Sequence, residues 1–169
     1  MGHRTEDDPR MDWYKRFKSK GCILKLKAAD KPAALQEMVD QLLSGKLLDS
    51  ELEPEAKSAV EVREERGSTG IGGNVAISHV QVEGLSEALC SLAVSQNGIE
   101  WAAVDGAPVQ IVFMVLRPTE PTEDYDPEGH IEMMRWVARL ARDADFRGFA
   151  LQAKTKTELV GLLKEMALV

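Results

Sequence analysis

Val109-Gln110-Ile111-Val112-Phe113-Met114-Val115-Leu116 is the stretch on which the fold turns. It is apolar but for Gln110, and Pro118 closes it. Eight residues are short for a helix, and a run without polar alternation suits a strand covered on both faces. Downstream, Asp126-Pro127 places an N-cap before a proline at the first helical position, and His130, Met134, Val137 and Ala141 recur at helical spacing. Asp145 is a candidate cap for a short helix. Thr155 and Glu158 form a capping box ahead of Leu159, Leu162, Leu163 and Met166. Upstream, Asp105-Gly106 marks a turn, and Ala88 to Ser95 reads as a strand closed by Asn97-Gly98, a hairpin dipeptide that predicts a mixed sheet. Nearer the N-terminus, Ile23, Leu24 and Leu26 suggest a first strand. Asp30 then caps a helix carrying Leu35, Met38, Val39, Leu42 and Leu43, which Gly45 ends. Ser50 and Glu53 form a capping-box pattern for a second helix, with Ala56, Val60 and Arg63 on one side and Gly67 as its stop. Strands alternating with helices around a wholly apolar run predict a single α/β domain, a central mixed β-sheet flanked by helices on both faces. The domain is expected over residues 21–169. Residues 1–20, charged and without periodicity, read as a flexible arm that Trp13, Tyr14 and Phe17 pin to the surface.

Composition narrows the function classes. The chain of 169 residues is 44% hydrophobic and 29% charged, enough to bury a core without disulfides or metal. A net charge of −7 argues against DNA, RNA or anionic membrane as the main partner, since these demand clustered Lys and Arg. No apolar run is long enough to span a bilayer, and Met1 to Arg10 lacks the apolar core of a signal peptide. Cys22 and Cys90 sit in apolar surroundings and read as buried thiols of a reducing compartment. A cytoplasmic location is the expectation.

Three histidines are present, and two stand where α/β sheets present side chains to ligands. His79 ends the apolar run Val75-Ala76-Ile77, and His130 opens the helix after the buried strand, whereas His3 lies in the arm. Before His79 runs Gly67-Ser68-Thr69-Gly70-Ile71-Gly72-Gly73-Asn74. Glycines let main-chain N–H groups converge on an anion, and the Ser68 and Thr69 hydroxyls add donors. A neutral imidazole beside such a cradle suits a phosphoryl group, with Arg63 or Arg66 supplying a planar fork of donors. The loop lacks the Gly-Lys-Ser/Thr of an NTP-binding loop, and it follows a helix rather than the strand a dinucleotide fingerprint requires. No ligand pair has zinc-like spacing. The residues taken alone leave two readings open, an anion site near two histidines or a loop that merely turns the chain.

The segment from Arg63-Glu64 through Gly67-Ser68-Thr69-Gly70-Ile71-Gly72 to Ala76-Ile77-Ser78-His79 resembles the active-site segment of phosphotransferase-system enzyme IIA domains of the fructose/mannitol/nitrogen class. Asp105-Gly106-Ala107-Pro108-Val109 and His130-Ile131 resemble that family's later landmarks, so the likeness extends over roughly residues 22–167. It implies an enzyme, a phosphotransferase component that forms a phosphohistidine at His79, with Arg63 and His130 flanking the phosphoryl group. Ser68, Thr69, Gly70, Gly72 and Ser78 are the expected phosphate-binding residues. No cofactor and no metal are implied. The implied partners are the histidine phosphocarrier protein as donor and an enzyme IIB protein as acceptor in sugar uptake. The alternative is a stand-alone regulator of the nitrogen type, whose phosphorylation state controls binding to a transporter or kinase. Two departures stand out. Ser78 occupies the place where the family usually has proline, which also allows a degenerate, non-catalytic scaffold, and the loop from Thr119 to Gly129 is long and acidic.

Overall fold

In the computed structural model, which describes residues 8–168, the apolar run becomes β4 (Val109–Arg117), an interior strand of a four-stranded sheet. The other strands are β1 (Gly70–Gly72), β2 (Val75–Gln81) and β3 (Leu89–Ile99), and the order is β1-β2-β4-β3. β2 runs parallel to β4, from Val75 opposite Ile111 to Gln81 opposite Arg117, while β3 lies antiparallel on the other side of β4. The sheet is mixed, as expected, but the hairpin dipeptide is not the cause. Gly98 (φ 75°) sits inside β3 at a register shift between Val94 and Ile99, and residues 100–108 make the link to β4. The tight hairpin joins β1 to β2 instead, across Gly73 (φ 63°) and Asn74 (φ 68°), two positive φ values that suit a two-residue turn.

Alternate residues of β2 and β4 feed two separate cores. Ala76, Val80, Val112, Met114 and Leu116 pack under α2 (Lys31–Ser44) and α3 (Glu53–Glu65). Val75, Ile111, Phe113 and Val115 pack under α4 (Pro127–Arg142), α5 (Ala144–Gln152) and α6 (Lys156–Glu165). Several helix starts have a definite cause. Asp30 accepts from the Ala33 N–H at 2.9 Å, and Thr155 accepts from the Glu158 N–H at 3.0 Å. Elsewhere the caps differ from expectation. Asp49 rather than Ser50 caps the 3₁₀ turn Ser50–Leu52 that leads into α3, and Asp143 rather than Asp145 caps α5 by accepting from Phe146 at 2.9 Å.

Two N-terminal expectations change. The first strand shrinks to a strip along the β3 edge, where the Ile23 N–H donates to Leu92 at 2.9 Å and the Leu26 N–H to Val94 at 2.8 Å. It stops there because the Glu37 carboxylate takes the N–H groups of Lys27 and Ala28, at 3.0 and 2.9 Å. Within the segment 1–20 read as an arm, residues 1–7 lie outside the described residues. Residues 8–20 are folded onto the domain rather than loose. α1 (Arg10–Trp13) and the 3₁₀ turn Tyr14–Arg16 lead to Phe17, which is buried edge-on to Phe113, with ring centroids 6.0 Å apart. Trp13 lies 5.8 Å from Trp136 on α4. Burial of this aromatic group holds the segment in place.

Candidate functional site

β2 continues past His79 to Gln81, so the histidine lies within the strand near its carboxyl end. Its ring points toward α4 on the same face as Val75 and Ile77. His130 meets it from the first turn of α4. That turn is fixed by Asp126, whose side chain accepts from the N–H groups of Glu128 and Gly129 at 3.3 and 3.2 Å, while its carbonyl accepts from the His130 N–H at 2.9 Å. The Tyr125 ring packs edge-on against His130, with centroids 5.2 Å apart. As a result His79 Nε2 and His130 Nε2 stand 2.8 Å apart, and the structure brings together two residues 51 positions apart in the chain.

A contact of that length between two ring nitrogens requires one proton between them. Burial lowers the His79 pKa to about 4, with the His130 and Arg117 charges adding to the effect. His130 is also lowered to about 4, by burial first and then by Arg117 and Arg16. Both rings are therefore neutral at pH 7, the form in which an imidazole nitrogen keeps a nucleophilic lone pair.

His79 stands on the wall between two clefts. The first, about 400 Å³, is lined by Arg63, Arg66, Arg117, Ser58, Glu55 and neighbours on α3. The second, about 420 Å³, is lined by His130, Arg117, Tyr125 and the apolar side chains of Ile131, Met134 and Ala138 on α4. Arg63 lies in the last turn of α3 and donates from Nη1 to the Gly67 carbonyl at 2.8 Å, so it is held beside the first cleft. Among the described residues, no carboxylate pairs with Arg63, Arg66 or Arg117 within 4.0 Å. The first cleft thus carries three guanidinium groups free to meet an anion.

The glycine-rich segment, with Ser68, Thr69, Gly70 and Gly72 expected to bind phosphate, is a different matter. Its hydroxyls and the Thr69 and Gly70 N–H groups have partners within the chain. The Glu64 carboxylate accepts from the Thr69 N–H at 3.1 Å and from the Thr69 hydroxyl at 2.7 Å. The Ser68 hydroxyl donates to the Trp101 carbonyl at 2.8 Å and accepts from the Gly70 N–H at 3.1 Å. Gly70 and Gly72 form β1 opposite Ala76 and Val75. None of these four residues lines either His79 cleft. The glycine at 70 serves close packing, since a Cβ there would stand 2.6 Å from the Ala103 Cβ. Ser78, also expected to bind phosphate, faces away from His79. Strand alternation turns it to the α2–α3 core, opposite His79, where it is 0% exposed and its hydroxyl has no hydrogen-bond partner.

Arg117 is the site residue that sequence reasoning missed. Its signal was a lone cation ending a buried strand beside Pro118, and its meaning depends on β4 pairing in parallel with β2, which no local pattern reveals. Among the described residues, no group of three or more His, Cys, Asp or Glu side chains converges to hold a metal ion, and no helix is long and apolar enough to cross a membrane.

The family model for the phosphoenolpyruvate-dependent sugar phosphotransferase system, EIIA 2, matches residues 16–166. The chain is similar to a nitrogen regulatory protein of Pseudomonas aeruginosa, 31% identical over 104 residues, which are 62% of this chain and 64% of the relative, just under two thirds of that relative's length. It is also similar to the fructose-specific EIIA component of a PTS system in Haloferax volcanii, 26% identical over 146 residues, 85% of this chain and 92% of the relative. The fold matches that in a complex of mannitol enzyme IIA with phosphorylated enzyme IIB from Escherichia coli, with a TM-score of 0.64 and 17% identity over 88% of this chain and 97% of that one. The chain belongs to the EIIA type 2 family of the phosphoenolpyruvate-dependent sugar phosphotransferase system.

Proposed function

We propose that this chain is a cytoplasmic phosphoryl carrier in which His79 accepts the group from the histidine phosphocarrier protein and passes it to an enzyme IIB partner. The observation that carries this reading is the 2.8 Å contact of His79 Nε2 with His130 Nε2, beside a cleft lined by unpaired guanidinium groups. For attack, the Nε2 lone pair of His79 must be free, so the proton of the contact belongs to His130 Nε2 and that of His79 to its Nδ1. As phosphorus approaches, the His79 Nε2–P bond forms while the donor's N–P bond breaks. The electron pair of that bond returns to the donor nitrogen, and no proton need change place. The His130 N–H then turns from the lone pair to a phosphoryl oxygen, and Arg63 offers two parallel donors to the spreading negative charge. The protein's part is positioning and charge, which needs no metal or organic group. The apolar cleft along α4 offers partner proteins a surface that excludes water from the transfer.

Incubation with the phosphorylated carrier protein should place an acid-labile phosphate on His79, and His79→Ala should take up none. Equal labelling of the two proteins would overturn the assignment. His130→Ala should still be labelled on His79, about 10²-fold more slowly in a rapid-quench measurement, the usual cost of losing one donor to a developing charge.

A second reading is supported by the likeness to the Pseudomonas aeruginosa nitrogen regulatory protein. In it the same phosphohistidine serves as a signal, and the phosphorylated and free forms differ in affinity for a target protein. Efficient discharge to an enzyme IIB protein would favour transport. Resistance to every such protein, with state-dependent capture of a kinase or transporter, would favour regulation.

A further inference from the structure

Nothing in the glycine-rich segment before His79 points to Arg117, yet the sheet sets it beside that histidine. β2 and β4 run parallel with His79 opposite Val115 and Gln81 opposite Arg117, so His79 and Arg117 leave the same face of adjacent strands, two residues apart. With strands about 4.8 Å apart and a rise of about 3.3 Å per residue, their Cα atoms are roughly 8 Å apart, within the reach of an arginine side chain. His79 and Arg117 are also the two residues that line both clefts.

The guanidinium is positioned but not neutralised. Nη1 donates to the Pro118 carbonyl at 3.2 Å and to the Tyr125 hydroxyl at 3.4 Å, and Gln81, with its amide oxygen turned toward Arg117, accepts from the same group at 3.0 Å. These acceptors are all uncharged, and among the described residues no carboxylate lies within 4.0 Å of Arg117. Five N–H donors on a planar fork leave some unspent. Its field also reaches both rings, since the Arg117 charge contributes to lowering the pKa of His79 and of His130.

We propose that Arg117 is a catalytic residue of the phosphoryl transfer, its guanidinium binding the oxygens of the phosphoryl group on His79 together with Arg63. The inference rests on the phosphohistidine reading above. In the transfer step the His79 Nε2–P bond forms as the donor's N–P bond breaks and its electron pair returns to the donor. Arg117 gives hydrogen bonds to the equatorial oxygens and keeps all its protons, because a guanidinium does not deprotonate in proteins. A fork matters more than a charge here, so lysine is an incomplete substitute.

The test compares full-length wild type, Arg117→Gln and Arg117→Lys in rapid-quench phosphorylation by the phosphorylated carrier protein, with histidine titrations followed by NMR. Arg117→Gln should lower the maximal rate about 10²-fold with little change in KM, and Arg117→Lys should recover about a tenth of the lost rate. In the Gln variant both histidines should titrate at higher pH than in wild type, whereas in Arg117→Lys, which keeps the charge, they should stay close to the wild-type values. A folded Arg117→Gln protein with wild-type maximal rate, or one changed in KM only, would overturn the proposal. If the Gln variant does not fold, Arg117→Lys decides, because it keeps the stem and charge, and an unchanged rate there would refute the role of the fork. Failure of wild type to take phosphate on His79 would instead defeat the phosphohistidine reading itself.

Discussion

The two flanks of His79 are built from opposite kinds of sequence and serve opposite ends. On one side lies the motif-rich stretch from Glu64 to Asn74, whose hydroxyls and several amides are spent on one another and on Trp101, Asp105 and Pro108. Lys31 completes this clamp by donating to Glu64 and to the Trp101 carbonyl, both at 3.0 Å, and the Trp101 indole N–H donates to Thr69 Oγ1 at 2.9 Å. On the other side lie Arg117 and His130, which belong to no glycine motif and keep donors open toward a cleft. Residues next to His79 in sequence hold the backbone, while residues brought from a neighbouring strand and helix face the clefts beside its ring. Proximity along the chain is a poor guide to chemistry in a parallel sheet, where the neighbour in space is a separate strand.

This division can be broken by substitution. The largest effect should come from Glu64→Ala, which strands Lys31 and removes three bonds from the clamp. Stability should fall by about 3 kcal/mol in urea denaturation, with the transfer rate of the folded fraction close to wild type. Lost transfer at full stability would show that the motif flank does chemistry after all. Gly70→Ala forces a methyl group against Ala103 and should cost about 2 kcal/mol, again with His79 labelled normally.

A pH experiment sharpens the other flank. Free histidines titrate near pH 6.5, whereas His79 and His130 are held at about 4 in the folded protein. Between those values the unfolded chain binds protons that the folded chain refuses. Their contribution to stability is complete above about pH 6.5 and is lost progressively as pH falls toward 4. Urea midpoints measured at pH 7 and pH 5 should differ more for wild type than for the His79→Gln/His130→Gln double variant, and equal differences would contradict the low pKa values. The smallest effect is expected from Ser78→Ala. Removing a buried hydroxyl without a partner should be neutral or stabilising by up to about 1 kcal/mol, at an unchanged transfer rate. A tenfold drop in rate would give this departure from the family pattern a functional meaning.

Much of the fold was legible because it depends on short-range signals. The run from Val109 announced an interior strand, and Asp30, Asp126 and Thr155 announced helix starts through caps that act within three residues. The pair of histidines was legible as well, since each sits at a place set by its own element. What stayed hidden was pairing. Nothing local distinguishes a glycine loop whose amides await an anion from one whose amides are held by Glu64 and Ser68, and the partners of Arg117 follow from strand order alone. The flank carrying Phe17 was hidden for a related reason, because its aromatic partners Phe113 and Trp136 lie about 100 residues away.

Ser78 and His79 leave β2 on opposite sides, so a slip of one residue against β4 would exchange them, sealing the imidazole in the interior and pushing the hydroxyl outward. The short hairpin and the Glu64–Thr69–Trp101 clamp act against such a slip, which makes them a registration key for the strand. On this view the glycine motif selects which of two adjacent side chains meets the solvent, and the proposed phosphohistidine requires that selection to be unambiguous.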